Sequence, residues 1–152
     1  MSRRTLLPAL LIVVAIGLTG CTAPMPSRSV GDVEGVEDRA LNVSALVAGG
    51  TAQDNLGYFT RVIALVWQTA DRQSGPAYID ALAAAGFDKA AMQLTSDTST
   101  VGNPAESFQF SVRWGADCLI GQVGPATGEP YAVVVPGIAQ STCLIGETVA
   151  LG

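Results

Sequence analysis

Thirteen acidic side chains, eight basic ones and no histidine set the chemical repertoire of this 152-residue chain. Without an imidazole, Ser-His-Asp and Cys-His nucleophilic mechanisms, histidine zinc sites and histidine pH switches are excluded. Carboxylates are then the main acid–base groups. The pairs Asp71 with Asp80 and Asp88 with Asp117 offer the two carboxyl groups of a glycoside hydrolase, which must stand about 5 to 10 Å apart. Spacing along the chain does not fix that separation, and so many acids in a small domain bring accidental pairs. Surface solvation is the preferred reading, and no catalytic residue is assigned.

The run Thr95-Ser96-Asp97-Thr98-Ser99-Thr100 is rich in oxygen donors, but its single carboxylate is too little for a calcium site. It reads as a capped, solvated turn. Gly121, Gly124 and Gly128 superficially resemble a phosphate loop, yet no Lys-Ser/Thr opening a helix comes after them, and Pro125 and Pro130 fit a hairpin connection better. No cofactor or metal site is therefore expected. Trp67 and Trp114 could stack on sugars, but both lie in line with apolar periodicities and are expected in the core. Arg113 carries a fork that grips carboxylates. Its plainer reading is an exposed strand residue beside Asp117.

Of the three cysteines, Cys21 ends a distinct N-terminal zone. Arg3 and Arg4 form a basic start, and an apolar run over residues 6–18, interrupted by Pro8 and Gly17, leads into Leu18-Thr19-Gly20-Cys21. The run falls short of the roughly 20 residues a spanning helix needs and has the three zones of an export signal. Its last four residues resemble the lipobox of bacterial lipoproteins, in which the cysteine sulfur receives a diacylglyceryl group and the signal is removed. Cys21 is thus the expected lipid attachment site. Several acyl chains, palmitate among them, convert marginal membrane affinity into stable anchoring at about 0.8 kcal/mol per buried methylene. The arginine pair leaves both the general secretory and the twin-arginine route open.

Removing residues 1–20 takes two basic residues and no acid, so six cations face thirteen acids, a formal charge of minus seven. Nucleic acid is not an expected partner, because a polyanion binder needs clustered Lys and Arg. Cys118 and Cys143 remain as an even pair in a chain that matures outside the reducing cytoplasm. One disulfide between them is expected.

The elements that must position these groups lie downstream of the signal. Residues 21–43, rich in Pro, Ser, Gly, Val and acids, read as a flexible tether reaching roughly 25 Å, and residues 44–152 as a single domain. A helix is expected over residues 52–70, where Leu56, Phe59, Ile63 and Val66 recur at helical steps and Thr51 with Asp54 resembles a capping box. A second is expected over 76–85, opened by Pro76 and closed by Gly86, with Phe87 folding back onto it. From Ala90 the period becomes two, and Phe108, Phe110, Val112 and Trp114 alternating with Gln109, Ser111 and Arg113 give the clearest strand. Further strands are expected over 118–123 and 131–135, and Cys143-Leu144-Ile145-Gly146 echoes Cys118-Leu119-Ile120-Gly121. Ser111 and Arg113 are expected on the face away from the core. The order argues an α+β fold: two helices packed on an antiparallel meander of three to five strands.

Tyr78-Ile79-Asp80-Ala81-Leu82, Gly86-Phe87-Asp88-Lys89, Phe110-Ser111-Val112-Arg113-Trp114-Gly115 and Cys118-Leu119-Ile120-Gly121-Gln122 resemble a family of actinobacterial lipoproteins with one small domain of unknown function. The resemblance spans residues 56–146. It implies an envelope location and nothing catalytic. The expected role is a non-enzymatic, membrane-anchored binding or accessory module on the outer face of the cytoplasmic membrane, with another envelope protein as partner. The alternative is a small carboxylate-dependent hydrolase of cell-wall glycan. A ligand-delivering lipoprotein of the two-lobed transporter kind would need a much longer chain.

Overall fold

Thr51 opens the first helix by the reciprocal bonds its spacing to Asp54 predicts: the Asp54 N–H donates to the Thr51 hydroxyl at 3.1 Å, and the Thr51 N–H donates to the Asp54 carboxylate at 2.9 Å. This helix, α1, runs Ala52–Trp67 in the computed structural model, which describes residues 45–138 and 142–152. Cys21 and the stretches expected to be the signal and the tether lie outside the described residues. Helix α1 stops three residues short of the expected end, where the Thr69 hydroxyl takes the Val66 carbonyl at 2.7 Å. Helix α2, Gly75–Ala84, has Pro76 in its first turn. Gly86, at φ 97, turns the chain there. The Phe87 N–H reaches back to the Leu82 carbonyl at 3.1 Å, and the Phe87 ring meets Phe59 edge-on and stacks with Tyr58.

The four strands are β1 Met92–Leu94, β2 Phe108–Trp114, β3 Asp117–Val123 and β4 Tyr131–Pro136. They form one antiparallel meander in the order β1-β2-β3-β4. The first strand starts later than the alternation from Ala90 predicts. Asp88 accepts the Ala90 N–H at 3.0 Å and winds Lys89–Ala91 into a single 3-10 turn. The fold is α+β, with α1 against β3 and β4 and α2 against β1 and β2.

Period two gives the sheet two faces. The helix-facing side carries Met92, Leu94, Phe108, Phe110, Val112 and Leu119, all buried with Phe59, Ile63, Tyr78 and Leu82 of the helices. Phe110 stacks on Tyr78 at 4.8 Å between ring centres. Its cross-strand partner is Gly121, where an added Cβ would run into the Phe110 ring. A glycine is needed because the ring lies where a side chain would be.

The opposite face carries Gln93, Ser111 and Ile120 in one row and Arg113 and Cys118 in the next. The expectation that Ser111 is exposed fails: it has the alternate orientation but is fully buried. The cause is the C-terminal segment, which crosses this face with Cys143 and Leu144 each 3% exposed. Alternation predicts which side a residue takes. It does not say whether that side meets water.

Candidate functional site

The polar residues that could carry chemistry are held on the strand and helix ends, and the bonds they make run chiefly to main chain. Gln93 presents its Oε1 to two successive N–H groups, Cys143 at 2.6 Å and Leu144 at 3.2 Å. Those donors are thereby taken from any fifth strand, so the echo of residues 118–121 forms a strap instead. Arg113 donates from Nε to the Gly115 carbonyl at 2.7 Å and from Nη1 to the Thr142 carbonyl at 3.2 Å. Its guanidinium lies against Gly137, where a Cβ would meet Nη1. Asp117 is paired with Trp114 and takes the helix-facing side, away from Arg113. The plainer reading of Arg113 as a solvated partner of Asp117 is corrected accordingly: the fork grips carbonyls of the strap and the β2–β3 turn.

Cys118 and Cys143 are joined, with Cα atoms 5.7 Å apart. Gln93, Arg113 and this disulfide thus fasten the strap at three points across β1, β2 and β3. Asp97 has a parallel role. Ser74 at the start of α2 makes no side-chain cap, and Asp97, 22 residues on, accepts the Gly75 N–H at 2.8 Å instead. The hydroxyl-rich run is a turn that caps a helix from a distance, with Ser96 bonded to Thr98 within it. Nothing in its sequence names the helix it serves.

Asp71 and Asp80 line separate hollows. Asp80 faces Lys89 at 3.4 Å, an exposed ion pair, beside a recess of about 80 Å3 closed by Val149 and Leu151. Asp88 caps the 3-10 turn. Asp71 lines a different, open hollow of about 290 Å3 together with Gln73, Ser74, Asp97 and Thr98. Sequence reasoning did not pair Asp71 with Asp97, and only the fold brings them to one depression. Among the described residues no three His, Cys, Asp or Glu side chains gather as metal ligands. An apolar groove of about 480 Å3 runs between α1 and α2, lined by Tyr58, Val62, Leu65, Ala81 and Ala85 with Arg61 at its rim.

Trp114 is half-buried and donates from Nε1 to the Gly50 carbonyl at 2.7 Å, tying the entry loop to the sheet. Trp67 packs against the core, with the Arg72 guanidinium over its ring at 5.6 Å. Tyr78 is buried, its hydroxyl donating to the Arg72 carbonyl at 2.8 Å. Burial pushes its pKa up to about 12, partly offset by the Arg72 charge.

Residues 63–147, more than half of the chain, match the family model described as a domain of unknown function, DUF6993. The chain belongs to this family. The matched stretch takes in α2, all four strands, Gln93, Arg113 and both disulfide cysteines, so the strapped sheet lies wholly within the DUF6993 unit. The capping box of α1 precedes it. No curated protein and no solved structure matches the chain.

Proposed function

We propose that the protein is a lipid-anchored, extracytoplasmic module of an actinobacterial cell envelope that binds another envelope protein and does not catalyse a reaction. Two features support the location. Leu18-Thr19-Gly20-Cys21 has the form of a lipobox, and the Cys118–Cys143 disulfide suits an oxidising compartment, since cytosolic thiols are held reduced. The observation that carries the non-catalytic reading is the use made of the polar groups. Asn55, Asp88, Gln93, Asp97 and Arg113 each bond to main chain of their own domain, and a group so engaged holds structure in place.

A second reading has one observation in its favour. Asp71 and Asp97 line the same open hollow, as the paired carboxylates of a glycan hydrolase would. Asp97, however, is committed to the α2 terminus. Crosslinking the anchored protein in cells, followed by identification of the captured proteins, separates the readings. Enrichment of one envelope protein over an unrelated lipoprotein is expected. Failure to enrich any, with glycan cleavage that is lost in Asp71→Asn, would replace binding by hydrolysis.

A further inference from the structure

The two edges of the sheet are finished differently. At the β1 edge the outward Leu94 carbonyl accepts the Val149 N–H at 2.8 Å, so the C-terminal tail covers that side. At the β4 edge no main-chain partner lies beyond the strand among the described residues. Which groups point outward is set by the register. The Gly137 N–H donates to the Ala116 carbonyl, one step beyond the Asp117↔Pro136 pair, and hydrogen-bonded pairs alternate along an antiparallel ladder. Val135, Val133 and Tyr131 therefore bond to β3, whereas Ala132 and Val134 turn both N–H and C=O outward. Pro136 turns out a carbonyl and has no N–H.

Native sheets blunt such an edge with lysine, proline, an inward charge or a bulge. Strand β4 has prolines at its two ends, Pro130 just before it and Pro136 as its last residue, and the Ala132 and Val134 N–H groups between them stay open. Here residues 130–138 hold no charged side chain, and Tyr131 and Ile138 are 58% and 56% exposed. We propose that this edge is a self-association surface, on which β4 of a second copy pairs antiparallel about a two-fold axis through Val133. In that register Ala132 of each copy pairs with Val134 of the other, giving four main-chain hydrogen bonds from groups otherwise left to water. Tyr131 meets Val135 of the other copy on the same face, an aromatic with β-branched pair of the kind that stabilises sheets. Glu129 falls opposite Gly137, so no acid meets an acid despite the negative charge of the chain. One strand pair lies below the roughly 1,200 Å2 of standard interfaces, so the dimer forms in proportion to local concentration. Nothing in this inference depends on the envelope reading.

The register supplies its test. Val133 faces its own counterpart in a non-hydrogen-bonded pair, where Cα atoms stand about 4.5 Å apart and a disulfide fits. Full-length Val133→Cys, oxidised mildly, is expected to give a reducible dimer at roughly ten-fold the rate of Val101→Cys, because a held pair has a higher effective concentration than a colliding one. Val101 is a control at 79% exposure on a loop. Adding Ala132→Pro removes an outward N–H and none of the β3–β4 bonds, so it should abolish the crosslink while the melting transition stays cooperative. Equal crosslinking at both cysteines, or a crosslinked dimer that survives in a folded Ala132→Pro variant, overturns the proposal. Capture of a different protein at Val133→Cys without homodimer also overturns it. Should Ala132→Pro not fold, the comparison of the two cysteines decides alone.

Discussion

Phe110 and Ser111 are neighbours on β2, both fully buried and facing opposite ways. Phe110 fills the space between Tyr78 and Gly121, so Phe110→Ala removes transfer energy and leaves a cavity, at a cost of about 3 to 5 kcal/mol. Chemical denaturation measures it. The Ser111 hydroxyl is buried without a hydrogen-bond partner, and Ser111→Ala deletes that unmet group. A gain of up to about 1 kcal/mol is expected, and a loss of that size would mean that the hydroxyl is bonded after all. The inward direction of Phe110 was legible because period two decides it. The burial of Ser111 was not, because the covering strap comes from more than thirty residues downstream and has no periodicity of its own. Tyr78 gives a pH test. Its folded pKa of about 12 lies above the ordinary 10.0, so the folded state holds the phenolic proton more tightly than the unfolded state does. Stability should be level below about pH 10 and fall between about 10 and 12. The phenolate absorbance that Tyr78→Phe removes should belong to an ionisation near pH 12, and loss of an ionisation near pH 10 instead would contradict this.

Both helices and all four strands were legible, because capping, proline, glycine and alternation act within a few residues. The errors fall where a side chain overrides the local pattern. Thr69 shortens α1, and Asp88 delays β1. The distant caps were illegible for the same reason: Asp97 serves α2 across 22 residues and Gln93 the strap across 50. Asp97→Ala should therefore cost about 1 kcal/mol, as loss of an N-terminal cap does. The fastest gain in amide exchange should be at Gly75, and unchanged exchange there would remove Asp97 from this role. The strap is fastened most strongly by its disulfide, which closes a sequence separation of 25 and by chain entropy contributes about 3.5 kcal/mol. The Cys118→Ala, Cys143→Ala double variant should lose stability of that order and expose the Leu144 amide.

At the scale of the whole molecule, the sequence offers more for a proposal of where the protein works than of what it touches. The zones before Cys21 resemble an export signal through features that are short and local. A partner surface such as the proposed β4 edge is assembled by the fold and leaves no motif. The DUF6993 match carries no activity with it, so the account stands first on the anchor. No helix among the described residues is long and apolar enough to cross a membrane, and residues 21–43 hold no apolar stretch that replaces one. Membrane attachment in this account rests on the thioether at Cys21. The direct measurement is membrane fractionation with acyl labelling of wild type against Cys21→Ala. The wild type should take up label and sediment with membranes, and the variant should take up none and lose any processed product to the soluble fraction. A Cys21→Ala protein that labels and partitions like wild type would contradict the account.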